Sequence, residues 1–87
     1  MVISIHHPRY VALRQHLKAL RKGAKRSQVE LAALLGEDQS YVSKIERGER
    51  YVDLLFYLDW CRACGVAPDA GVKLLLAVLP DEGAPIG

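Results

Sequence analysis

Gln28-Val-Glu-Leu-Ala-Ala-Leu-Leu-Gly36, followed two residues later by Gln39-Ser-Tyr-Val-Ser-Lys-Ile-Glu-Arg47, reads as two short helices joined by a tight turn. Ser27 opens the first, because its hydroxyl can cap a free backbone N–H while Glu30, three residues on, reaches back to the cap. Gly36 closes it, since glycine enters the left-handed conformation without steric cost. Asp38 is a good N-cap for the second helix, Gln39 to Arg47, whose inward anchors Val42 and Ile45 stand three apart. Ala32 is small where the two helices must approach, and Leu31 and Leu35 complete the apolar set at the crossing.

Working outward, Pro8 suits the first turn of a helix, and Tyr10, Leu13, Leu17 and Leu20 follow at helical spacing, so residues 9–22 read as one amphipathic helix. On the other side, Asp53 caps a fourth helix that Gly65 stops, and Pro68 and Asp69 open a fifth over about 69–79. That last helix carries Val72, Leu74, Leu75, Leu76, Val78 and Leu79, apolar around much of its circumference, whereas a surface helix buries only a stripe. A second copy of the chain is the simplest cover for the excess. Val72, Leu75, Leu76 and Leu79 are therefore the expected dimer interface. The organisation expected is an N-terminal arm (1–8), a four-helix unit (9–68), a dimerisation helix (69–79) and a flexible tail (80–87).

The chain has 87 residues, 51% hydrophobic and 25% charged, the balance of one small globular domain. No apolar run approaches the roughly 18–20 residues of a membrane span, and no secretory signal opens the chain, so a cytoplasmic protein is expected. Residues 1–52 hold ten Lys or Arg against five Asp or Glu, while residues 53–87 hold two against five. Between Arg9 and Arg26 lie seven basic residues and no acidic one. A polyanion is the partner such a run fits.

Two short helices with a Gly-containing turn of three or four residues make the arithmetic of a helix-turn-helix. Together with the continuation Leu54-Leu55 through Leu58 to Ala63-Cys64-Gly65-Val66, the segment resembles the Cro/repressor-type (XRE) helix-turn-helix family over roughly residues 10–68. The resemblance implies an all-α, five-helix, lambda-repressor-like domain whose third helix enters the major groove of double-stranded DNA. With Val42 and Ile45 inward, Gln39, Ser40, Ser43, Lys44 and Arg47 fall on the opposite face, and Tyr41 stands at its flank. Gln39 can bond N6 and N7 of adenine and Lys44 can donate to guanine, so Gln39, Ser40, Tyr41, Ser43 and Lys44 are the expected base-reading set. Ser27 and Gln28 at a helix N-terminus, with Lys25, Arg26, Arg47 and Arg50 around them, are the expected phosphate contacts.

The resemblance also implies that Gln28 braces Gln39, and that Glu46 pairs with Arg21 in a structural ion pair. Two places depart from the family pattern. Lys25-Arg26 stands where Gly-Leu is usual before the capping Ser, and Glu37 stands where a branched aliphatic is usual.

Other motifs read plainly. Cys61-Arg-Ala-Cys64 spells C-x-x-C, but a structural zinc needs four ligands and a thioredoxin-like centre needs a preceding strand. Both cysteines are expected as buried small hydrophobes. His6, His7 and His16 come with no nucleophile and orienting group, and are expected to be solvated or to face DNA. Phe56, Tyr57 and Trp60 are expected in the core and at the dimer surface. No phosphate loop, carboxylate pair or Ser-His-Asp set occurs, so no enzyme, metal or cofactor is expected. The function expected is a sequence-specific regulator, a homodimeric repressor on a palindromic operator. The alternative is an antitoxin-like protein that binds a partner protein and autoregulates its operon.

Overall fold

The computed structural model describes residues 4–80. Five helices follow one another among these residues: α1 (Pro8–Gly23), α2 (Gln28–Leu35), α3 (Gln39–Glu46), α4 (Leu54–Ala63) and α5 (Pro68–Val78). Each starts where a local signal starts it. His7 Nδ1 accepts from the Arg9 N–H at 3.1 Å, ahead of Pro8. Ser27 and Glu30 form a reciprocal capping box at α2, with bonds of 3.1 and 2.8 Å. Asp38 and Asp53 each cap through a carboxylate oxygen, accepting from Tyr41 and Phe56 N–H. α5 has Pro68 in its first turn and no side-chain cap.

The expected helices are all present, with shifts of one residue at several ends. Arg47 is the C-cap of α3 and lies outside the helix, and α5 begins at Pro68 and ends at Val78. Of the expected arm, residues 1–3 lie outside the described residues, as does the tail from residue 81.

The core collects Leu17 and Leu20 from α1, Leu31 and Ala32 from α2, Val42 and Ile45 from α3, and Tyr57, Trp60 and Cys61 from α4. Trp60 is wholly buried, and its indole N–H donates to the Leu17 carbonyl at 3.0 Å, which satisfies the ring's polar atom inside apolar surroundings. Cys61 and Cys64 are free, buried members of the same cluster, as expected of small hydrophobes. Burial raises both thiols, with Cys64 pushed up to about 11.

His16 departs from expectation. It is buried, with Nε2 2.8 Å from the hydroxyl of Tyr57, whose side chain reaches it from α4. α5 then lies so close to α4 that a Cβ on Gly71 would stand 2.7 Å from Cys61 Sγ. Among the described residues no helix is long and apolar enough to cross a membrane.

Candidate nucleic-acid interface

α2 packs against α3, and α3 is held from beneath by α1. The Arg21 guanidinium meets the Glu46 carboxylate with two bonds, Nε to Oε2 at 2.7 Å and Nη2 to Oε1 at 2.9 Å. Both side chains are nearly out of solvent, at 10% and 3% exposure. The hydrogen bonds to Glu46 raise the guanidinium's pKa. A forked pair of this kind fixes angle as well as distance, so the end of α3 cannot rotate freely against α1.

A second arginine, Arg14, stands two turns before Arg21 on the same face of α1, and its Nη1 donates to the Glu46 main-chain carbonyl at 3.2 Å. Its Nε is buried without a partner beside Gly48, where any Cβ would stand 2.7 Å away. Gly48 has φ 78°, so both its backbone and the approach of Arg14 call for glycine. Reading the sequence missed this role by counting Arg14 only as part of the basic run. The seven-residue spacing to Arg21 carried the signal.

The same Glu46 carboxylate accepts from Gln28 Nε2 at 3.1 Å, and Gln28 Oε1 in turn accepts from Gln39 Nε2 at 2.7 Å. A continuous chain of bonds thus runs from α1 through Glu46 and Gln28 to the exposed first residue of α3. The Arg21–Glu46 pair and the Gln28–Gln39 bond implied by the family resemblance are both present.

Gln39, Ser40, Lys44 and Arg47 are exposed on the outer side of α3. Ser40 Oγ donates to Asp38 at 2.8 Å, which leaves its oxygen as an acceptor. That bond, with the Tyr41 N–H, holds the Asp38 carboxyl below the usual range. Ser43 is the exception in the expected reading set. It is buried, and its hydroxyl accepts from Arg47 Nη1 at 2.7 Å, because the arginine one turn on folds back over it. Tyr41 is half-buried, with its ring 5.3 Å from Phe56 and the Arg50 guanidinium stacked 4.3 Å over it.

The expected phosphate contacts divide likewise. Lys25 is exposed in a left-handed conformation, φ 57°, at the place where the resembled family has glycine. Ser27 is exposed at the N-terminus of α2, and Gln28 is half-buried beside it. Arg26 is committed elsewhere: its Nε donates to the Ala63 carbonyl at 2.9 Å, tying the turn before α2 to the end of α4. Arg47 pairs with Glu49, and Arg50 is engaged with Tyr41, although both remain exposed.

The expected dimer residues on α5 also divide. Val72 and Leu75 pack partly against the chain's own core, whereas Leu76 is 64% exposed. Leu74 and Val78, outside the expected set, are exposed too.

A helix-turn-helix family model (HTH_3) matches residues 17–70. A search of curated proteins returns no significant match. Among solved structures, an XRE-family like protein from Pseudomonas syringae pv. tomato is 44% identical, with a TM-score of 0.74 over 83% of this chain and 88% of that one. The restriction-modification controller protein C.AhdI from Aeromonas hydrophila is 39% identical, with a TM-score of 0.63 over 70% of this chain and 92% of that one. A hypothetical transcription factor, NHTF, from Neisseria is 27% identical, with a TM-score of 0.65 over 94% and 86% of the two chains.

Proposed function

We propose, for a chain that belongs to the XRE family of helix-turn-helix DNA-binding regulators, that it is a homodimeric repressor reading a palindromic operator through the exposed face of α3. The observation that carries this reading is the braced outer row of α3. Gln39, Ser40 and Lys44 face outward while Arg21, Arg14 and Gln28 hold the helix from behind. Base contacts discriminate only when the reading side chains are held in register, and that register is assigned to the buried Arg21–Glu46 pair, passed outward through Gln28 to Gln39 by the amide bonds.

Lys25, Ser27 and Gln28 are assigned to phosphates beside the reading helix, with Arg47 and Arg50 joining them by releasing their present neighbours. Arg26 is left out, since its guanidinium Nε already serves the Ala63 carbonyl. Two half-sites are needed because one reading helix covers only a few base pairs. Val72 and Leu76 on α5, with Leu79 at its C-cap, are the surface assigned to the two-fold contact, with Leu75 behind them. One similar structure is a restriction-modification controller and another a hypothetical transcription factor, which suits a small protein that acts by occupying a promoter.

The test is selection from a randomised duplex library with purified protein, repeated with the S40A/K44A double variant at two salt concentrations. An enriched inverted repeat, lost in the variant while salt-sensitive bulk binding survives, supports the reading. Salt-sensitive binding without enrichment overturns it in favour of a partner-dependent module, for which exposed Leu54 and Leu55 on α4 offer a surface.

A further inference from the structure

α1 and α5 enclose an apolar groove of ≈ 640 Å³, which the DNA-facing surface does not use. Its walls include Ala12, Ala19 and Leu20 from α1 and Leu74, Ala77 and Val78 from α5. Leu74 and Val78 are more than half exposed there, an unfavourable placement for large apolar side chains with nothing against them. The volume lies in the range that encloses small organic molecules. Gln15 and His16 bring polar groups to the lining on the α1 side. His16 is only 7% exposed, and with Nε2 given to Tyr57, its Nδ1 is the ring's remaining hydrogen-bonding atom.

Charge around the rim chooses the occupant. Lys18 and Lys22 flank Gln15 and Ala19 on α1, and Lys73 stands one turn before Ala77 on α5; all three lysines are exposed. α1 carries no acidic residue, and the acid on this side of α5 is Asp69, in its first turn. A second copy set on the groove by a two-fold axis would bring this basic rim against itself. Val72 and Leu76, the helical residues of the surface assigned to the dimer, lie on another side of α5 by helical spacing. A small anion with an apolar body has neither difficulty.

We propose that the α1–α5 groove binds a small apolar carboxylate, its chain or ring laid between Ala19 and Leu74 and its carboxylate held at the lysine rim with His16 beneath. Arg14 and Arg21, which reach α3, leave α1 on the opposite side by helical spacing, so the occupied groove leaves the DNA-facing surface open.

The experiment uses the full chain with decanoate and, as the neutral counterpart, decanol, both below their aggregation limits, followed by backbone amide shifts and calorimetry. The expected result is saturable one-to-one binding of decanoate, with shifts centred on Ala12, Ala19, Leu74 and Val78, and about tenfold weaker binding of decanol. The exposed double variant K22E/K73E should lose the preference for decanoate, and A77F, which fills the groove, should lose both ligands, with helicity checked by circular dichroism. Equal binding of the two probes, or no saturation, overturns the proposal. So does dissociation of a dimer by decanoate in light scattering, which would make the groove an interface between copies. Operator binding measured on the same samples keeps this outcome separate from that of the repressor reading.

Discussion

Arg21 and Glu46, twenty-five positions apart in sequence, join the first helix to the reading helix through two hydrogen bonds of 2.7 and 2.9 Å inside a site almost closed to water. Breaking such a pair from one side strands a buried charge, whereas replacing both partners by apolar residues removes the desolvation cost along with the attraction. Arg21→Met or Glu46→Leu alone should therefore cost about 3–5 kcal/mol in urea unfolding, and the double variant much less. Additive losses would show that the two residues act independently. Operator binding should fall in the double variant even where stability returns.

Lys25 pays for its left-handed φ of 57° with steric strain that glycine would not feel. Lys25→Gly should raise unfolding stability by up to about 1 kcal/mol. The same variant should bind DNA less tightly and lower the salt slope by about 0.9, the loss of one phosphate contact. Thermal melts and binding isotherms at several salt concentrations measure the two effects. An unchanged salt slope would remove Lys25 from the phosphate set.

Gln28 touches both Glu46 and Gln39, so its effect on recognition should pass through Gln39. On a selected operator, Gln39→Ala should cost about 1–3 kcal/mol at one base pair. Gln28→Ala should cost less at that same pair, and little more once Gln39 is already alanine. A full additional loss of discrimination at that pair in the double variant would mean that Gln28 reads the base itself, beyond the phosphate contact assigned to it.

Burial lowers the His16 pKa from its ordinary 6.5, so the folded chain binds fewer protons than the unfolded one just below that pH. Stability should be fully present above about pH 6.5 and fall as the pH drops below it, levelling off only beneath the lowered folded value. Glu30, Asp38 and Glu49, whose carboxyls are lowered by their hydrogen bonds, add losses only further into acid. Urea midpoints at pH 7.5 and 5.5 should differ for the native chain and converge for His16→Gln.

Gly71 tests the packing of α5. Alanine there gains helix propensity of about 1 kcal/mol but meets Cys61 Sγ at 2.7 Å. Gly71→Ala should destabilise the native chain, and the penalty should shrink when Cys61 is also alanine. Equal effects in both backgrounds would show that Sγ is not the obstacle.

Most of the helix-turn-helix was legible because its signals are local: the Ser27–Glu30 capping box, Gly36 and Asp38 each act within one turn. Burial across the fold was less so. Ser43 stands on the outward side of α3 and His16 is a lone polar residue among Ala12, Leu13, Ala19 and Leu20, and what engages them, Arg47 folded back and Tyr57 reaching over from α4, is a matter of rotamer and helix placement that periodicity does not encode. Arg26 likewise reads as one more cation of a basic run until the end of α4 supplies a carbonyl for it. The division of α5 into a core-facing row and exposed leucines needed the position of α1, which no spacing within the helix reveals.

An ionised carboxylate can only accept hydrogen bonds, and this gives the chain from Glu46 outward a direction. Gln28 must turn its amide nitrogen to Glu46, so its oxygen faces Gln39, and Gln39 must answer with its own nitrogen. The outermost amide is thereby presented in one of its two orientations, with its oxygen and its second N–H at fixed places. A negative charge buried out of reach of any base thus settles the order in which donor and acceptor are offered at the surface, and Glu46→Gln, nearly identical in shape, would leave that order undetermined.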